Sequence, residues 1–313
     1  MRGNTLDDVS QPNGILLVDK PQGLTSHDVV ARVRRAAGTR KVGHAGTLDP
    51  MATGLLIIGV GTATRLLTHV VGTGKVYEAT IRLGEATVTD DAEGELTEKA
   101  DAAVVDVIVE DAVAAGIRAL TGPIEQVPST VSAIKVDGKR AYARARAGET
   151  VELKARPVTI DAFDVSELRR MPGLIDLDVR VACSSGTYIR ALARDLGAGL
   201  GIGGHLTMLR RSAVGPFDVV AATPLDALVS GEVAVADVLL APTDAASLLF
   251  PRLELDVQQA VDLGHGKKLQ VDAPAVPGIH AAVAPDGRLV ALVTVSATGV
   301  VRVETGFPAV EED

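Results

Sequence analysis

The chain has 313 residues, of which 47% are hydrophobic and 23% charged, a balance that places it among globular proteins and excludes an intrinsically disordered one. A single cysteine, Cys183, excludes an internal disulfide, the six histidines show no CxxC- or HExxH-type spacing for a metal, and no apolar run reaches the ~18 residues a membrane span needs. Net charge is −9, which argues against a nucleic-acid partner only if the charge is evenly spread. It is not: residues 1–75 carry +4, 76–122 carry −8, 123–160 carry +3, 161–217 carry +1 and 218–313 carry −9. Three basic blocks, RVRRAAGTRK (32–41), GKRAYARAR (138–146) and LRR (209–211), therefore alternate with acidic stretches. Such runs serve equally as solvated faces or as contacts to one polyanion. The polar N-terminus lacks a signal-peptide core, so a cytoplasmic location is expected, and residues 1–12 read as a flexible tail.

In chain order, GILLVDK (14–20) reads as a strand, and a helix follows from about Ser26, a plausible N-cap, through HDVVARVRRAAG. GLLIIGVG (54–61) reads as a buried strand, and VYEATIRLG (76–84) alternates as a strand before the acidic turn TDDAEGE (89–95). A helix is expected near 106–120, another over 140–148, and strands over PVTIDAFDV (157–165) and LIDLDVRVAC (174–183). The last leads through SSGTY into a helix over 189–197. These elements lack regular βαβ alternation, which favours an α+β fold with antiparallel pairing. Past an Ala/Val/Asp-rich stretch, LFPRLEL (249–255) opens a run of short strands with turns at 284–288 and 296–299, so a domain boundary is expected near 245.

Two candidate chemistries stand out. Gly59-x-Gly61-x-x-Thr64 after an apolar strand is a weak dinucleotide fingerprint, since Thr replaces the last small residue and no second βαβ unit follows. The other begins at GHAGTLDPMATG (43–54), where Asp49 sits among small residues. An Asp-Pro turn explains the local composition. Tyr77 and Tyr188, two of the three tyrosines, lie beside Lys75 and Arg190. An aromatic face stacks on an extruded nucleobase, and an arginine orients a carboxylate through paired hydrogen bonds.

Six segments then carry a family resemblance: NGILLVDKPQGLTSHDVV, RKVGHAGTLDPMATGLLIIGVGTATRL, GKVYEATIRLGEATVTDDAEGE, VPSTVSAIKVDGKRAYARARAGE, ARPVTI and CSSGTYIRALARDLGAGLGIGGHLTMLRRSAVGPF. Over residues 13–217 the chain resembles the TruB family of tRNA pseudouridine synthases. The resemblance implies the pseudouridine-synthase fold over 13–244, a mixed, mostly antiparallel sheet flanked by helices with an RNA-binding cleft, followed by a small β-rich PUA-like domain over 245–313. It implies isomerisation of the T-loop uridine of tRNA, position 55 in tRNA numbering, by a monomer with no cofactor, no metal and no protein partner.

By motif position Asp49 resembles the family's essential aspartate, acting as a nucleophile or as the base that starts an elimination. Tyr77 resembles its stacking tyrosine and Arg190 the partner of the aspartate. Tyr188 and Leu209 resemble pocket-wall residues, His44 a histidine near the flipped nucleotide, and Lys75 is placed with the substrate contacts. Two departures are visible: Val131 stands where many members have tyrosine, and 245–313 is acidic for an RNA-binding module. The alternative is a tRNA-binding or folding module with secondary or no catalysis. Such a module would need the basic blocks but not Asp49.

Overall fold

The computed structural model describes residues 12–129, 135–136, 139–140, 153–274 and 276–308. The helix expected over 140–148, Val131, the tail before Pro12 and most of the basic block 138–146 lie outside the described residues. The chain forms two compact units: Met1–Leu48, Leu55–Val71 and Gly215–Asp313 make one, and Asp49–Gly54 and Gly72–Val214 the other.

In the first unit, strand β1 (Gly14–Lys20) is buried at all but one residue, as its near-continuous apolar run requires. Helix α1 (Ser26–Ala36) is capped by Thr25, whose side chain accepts from Asp28 N while the Asp28 carboxylate accepts from Thr25 N. The cap is thus one residue earlier than expected. Ser26 is buried instead, and its hydroxyl donates to Leu48 O (3.2 Å) and accepts from Leu48 N (2.9 Å), fastening the chain at the residue before Asp49. Strands β2 (Val42–Ala45) and β3 (Thr53–Val60) pair antiparallel. Gly59 and Gly61, the weak fingerprint, have a packing reason: a Cβ on Gly59 would lie 2.9 Å from Thr64 Cα, and Gly61 holds a left-handed φ of 65° as the first residue of the 3-10 turn that leads into α2 (Leu67–Val71). Within the same unit, residues 252–306 build a five-stranded sheet with its own apolar cluster from Leu255 to Val301.

The second unit is a sheet of strands β4 (Lys75–Leu83), β7 (Gly122–Gln126), β10 (Arg156–Met171), β11 (Leu174–Cys183) and β12 (Gly204–Val214). The order is β12-β4-β11-β10-β7, antiparallel at every step, and Thr53–Gly54 of β3 add to β12 in parallel. This is the mixed, mostly antiparallel sheet expected. A short hairpin of β5 (Glu85–Thr87) and β6 (Leu96–Lys99) frames the acidic turn, and β8 (Lys135–Val136) pairs with β9 (Lys139–Arg140). Helices α3 (Ala102–Asp106) and α4 (Glu110–Ala119) replace the single helix expected near 106–120. The first ends at Asp106, whose carboxylate accepts from Gly173 N (3.0 Å). β10 runs six residues past the expected 165, because its polar end pairs with β11.

Alternation in β4 sends Lys75, Tyr77, Ala79, Ile81 and Leu83 to a buried face and Glu78, Thr80 and Arg82 to the other. Helix α5 (Ile189–Leu200) packs on the buried face with Ile189, Leu192, Ala193 and Leu196, one apolar stripe at helical spacing. It stops at Gly201 in left-handed conformation (φ 72°). Its closeness to β12 depends on Gly197, where a Cβ would lie 2.1 Å from Gly203 C and 2.2 Å from Gly204 N. We expect Gly197→Ala to destabilise the protein by about 1–3 kcal/mol or more, since backbone cannot yield as a side chain does. Urea unfolding measures this, and an unchanged midpoint would contradict the packing.

Candidate active site

Asp49 opens a tight turn in which Ala52 N donates to Asp49 O (3.1 Å), with Pro50 at the second position where its fixed φ suits the bend. The carboxylate is presented outward, its side chain 37% exposed. From α5, one residue past its N-terminus, Arg190 reaches the same place: its Nη2 lies 3.0 Å from Asp49 Oδ2. The positive neighbour that Asp49 lacks in sequence is therefore present in space.

Arg190 is only 4% exposed and does not serve Asp49 alone. Its Nη1 donates to Thr89 O (2.8 Å) and lies 3.4 Å from Asp91 Oδ2. One buried guanidinium thus bridges two carboxyl groups, an exposed one at Asp49 and a buried one at Asp91. Asp91 is itself held, its Oδ1 accepting from Thr89 Oγ1 (2.5 Å) and from Glu93 N (3.1 Å). TDDAEGE forms the acidic turn expected, and within it Asp91 is a buried ligand of the arginine. The available signal was its tandem acids followed by Gly94, where a Cβ would lie 2.4 Å from Thr89 Oγ1.

The start of α5 is fixed from β7. Gln126, 1% exposed, grips the peptide of Tyr188 at both ends: Tyr188 N donates to Gln126 Oε1 (2.8 Å), and Gln126 Nε2 donates to Tyr188 O (3.1 Å). Tyr188 is half-buried at the N-cap, with no side-chain cap bond. Four residues on from Arg190, Arg194 reaches Asp90 (3.3 Å) and donates to Val127 O (2.7 Å). Burial pushes the Asp90 carboxyl up, and Ser129 and the Arg194 charge oppose that shift.

Tyr77 lies on the buried face of β4, directly opposite Val181 of β11 and Arg211 of β12. Burial raises its phenol pKa, a hydrogen bond and the charge of Arg211 oppose this, and Asp49 is close enough to add a small upward push. Tyr77 and Asp49 therefore share one electrostatic environment. Leu209, opposite Ala79, occupies the next position on the same face. Arg211 is a residue that reading the LRR block missed: it is 1% exposed, a core cation and not part of a solvated basic run. Strand alternation would have separated it from Arg210. His44 belongs to the first unit, where its ring meets His27 edge-on at 5.5 Å.

Lys75 is buried as well, and its Nζ donates to Thr73 O (2.6 Å). Desolvation first, then the Arg211 charge, lower its pKa from the ordinary 10.5 to about 8. Between those two values the unfolded chain holds the proton that the folded one has released, so this group makes stability rise with pH from about 8 toward 10.5. Urea unfolding of the wild type relative to Lys75→Met should show the gain across that window and a flat difference below it. A difference that stays flat throughout would contradict the buried placement. Cys183, opposite Lys75, has its thiol pushed up to about 11 by burial, which leaves it unreactive.

Residues 34–189 match the family model described as TruB family pseudouridylate synthase (N terminal domain). Residues 190–246 match the tRNA pseudouridylate synthase B C-terminal domain, and 250–302 match tRNA Pseudouridine synthase II, C terminal. A tRNA pseudouridine synthase B of Leifsonia xyli subsp. xyli is 61% identical, over 90% of this chain and 92% of that protein. One from Thermobifida fusca is 57% identical, over 90% and 94%. Among solved structures, an H/ACA RNP bound to a substrate RNA containing 2'-deoxyuridine includes a chain 24% identical with a TM-score of 0.72, over 97% of this chain and 88% of that one. A Cbf5-Nop10-Gar1 complex gives 25% identity and a TM-score of 0.72, over 96% and 87%. These structures share the fold.

Proposed function

The chain belongs to the TruB family of pseudouridine synthases, and on that premise we propose that it isomerises the T-loop uridine of tRNA, position 55 in tRNA numbering, to pseudouridine. The observation that carries the reading is the Asp49–Arg190 pair at 3.0 Å, an outward-facing carboxylate on a buried cation. A module that only binds tRNA has no use for it.

The reaction breaks the N1–C1′ bond, turns the free uracil in place, joins C5 to C1′, removes the C5 proton and returns a proton to N1. Atoms balance with no co-reactant. A base within the T-loop must first leave its stack, at a cost of a few kcal/mol. Asp49 is then the catalytic residue, either a nucleophile that takes over the glycosidic carbon or base, or the base that opens an elimination at the sugar. Arg190 aims it. Tyr77 stacks on the extruded uracil, and its raised pKa keeps the phenol protonated in the resting site. Leu209, Tyr188 and Lys75 line the base's surroundings and His44 approaches the flipped nucleotide. We further place residues 245–313 as a module of their own, since the apolar cluster of residues 255–301 is self-contained. We take the protein to act as a monomer in the cytoplasm without metal or cofactor. The one cysteine, Cys183, is a buried free thiol, which accords with a reducing compartment.

A T-arm stem-loop carrying tritium at uridine C5 tests the reading: the wild type should release label to water and Asp49→Asn should release none. Absence of release from the wild type, or equal release from the variant, sinks it. Asp49→Asn should retain tRNA affinity, because phosphate contacts and not this carboxylate supply binding. Loss of binding together with activity would reassign the Asp49 turn to folding. Association should also weaken steeply as salt rises despite the acidic net charge, and a flat response in filter binding would remove the basic blocks from the interface.

A further inference from the structure

Asp90 is the one non-glycine residue with positive φ (60°) among the described residues. Asparagine or glycine suits that conformation without placing a charge in a buried position. Asp90 is 9% exposed, and its backbone is already secured, with its N–H donated to Thr87 O (3.3 Å) and its carbonyl accepting from Leu206 N (3.0 Å). The carboxylate therefore needs a reason beyond the turn itself.

Its neighbours on either side supply one. Thr89 O and Asp91 Oδ2 both meet Nη1 of Arg190, the arginine whose Nη2 holds Asp49. The left-handed residue between them sends its side chain the other way, to Arg194, one helical turn beyond Arg190 on the same face of α5. Arg194 also donates to Val127 O, the residue after Gln126, whose amide clamps the start of that helix. Two arginines at i and i+4 thus grip successive residues of one turn.

We propose that Asp90 and Arg194 are positioning residues for the reaction, a second ion pair that holds the 89–91 turn against α5 so that Arg190 presents Asp49 to the substrate. The proposal rests on the reading above, and one of its two measurements does not depend on activity. Asp90→Asn keeps a residue that tolerates the left-handed backbone and removes only the charge. We expect kcat on the T-arm stem-loop to fall roughly tenfold, as misplacement of a catalytic group does, with KM changed less than about twofold. Arg194→Lys, which keeps the charge but cannot span Asp90 and Val127 O together, should behave alike. The double variant should be no worse than either single one, as for two members of one unit. In full-length protein labelled with 15N-arginine, the Arg190 Nε–H resonance, assigned by its loss in Arg190→Lys, should shift or broaden in Asp90→Asn and in Asp90→Gly. A wild-type kcat in Asp90→Asn, an unmoved Arg190 resonance, or a loss that tracks a fall in Tm alone would overturn the proposal. If the wild type proves inactive on tRNA, the functional reading fails, and the resonance still decides whether the pair positions Arg190.

Discussion

Arg190 is a cation taken almost wholly out of water, and the rest of the second unit is arranged so that this is tolerable. A guanidinium offers five donors in a fixed plane, and here they reach an exposed carboxylate, a buried carboxylate and a backbone carbonyl on two different segments. Burial of a charge is costly unless its partners are in place, and deleting one partner of a buried pair costs about 3–5 kcal/mol. The Arg190–Asp91 contact is buried on both sides, so it anchors the cluster. The Asp49 contact is open to solvent on one side.

That division depends on packing as much as on charge. The guanidinium arrives from a helix whose start is clamped by Gln126 and whose end is stopped by Gly201. Between them, Gly197 lets the helix backbone come down onto that of β12. Beneath the helix, β4 and β12 carry Tyr77, Arg211 and Leu209 at matched registers. A one-residue slip in either strand would turn these side chains to the opposite face. The position of the carboxylate on its turn is thus set by β pairing and by helix seating, not by the turn alone.

Much of this was legible from residues. GILLVDK and LIDLDVRVAC coincide with strands to the residue, since each run ends in turn-forming sequence. The Asp49 loop, Tyr77 and Arg190 were visible through their motifs, and their closeness was an expectation that the geometry meets at 3.0 Å for the ion pair. What was hidden was hidden by long-range partners. Asp90 and Asp91 look like solvated turn residues until two arginines from a distant helix cover them. Arg211 looks like part of a basic patch until strand alternation points it inward. Thr25 and Ser26 are equally good cap candidates in sequence, and only the Ser26 contact to Leu48 separates their tasks. The polar end of β10 has no apolar rhythm to mark it in sequence, and its residues are held by cross-strand pairs.

Those pairs lie on the sheet face turned away from α5. Arg82 makes two 2.8 Å bonds to Asp176, Thr80 donates to Asp178 (2.7 Å), Arg169 pairs with Asp178 and Glu167, and Glu78 faces Arg180 on one side and Arg210 on the other. At the Arg82 and Arg169 pairs opposite charges lie within a few ångströms, so their fields largely cancel beyond a Debye length of about 8 Å at physiological salt. To an approaching polyanion those paired positions offer little net charge.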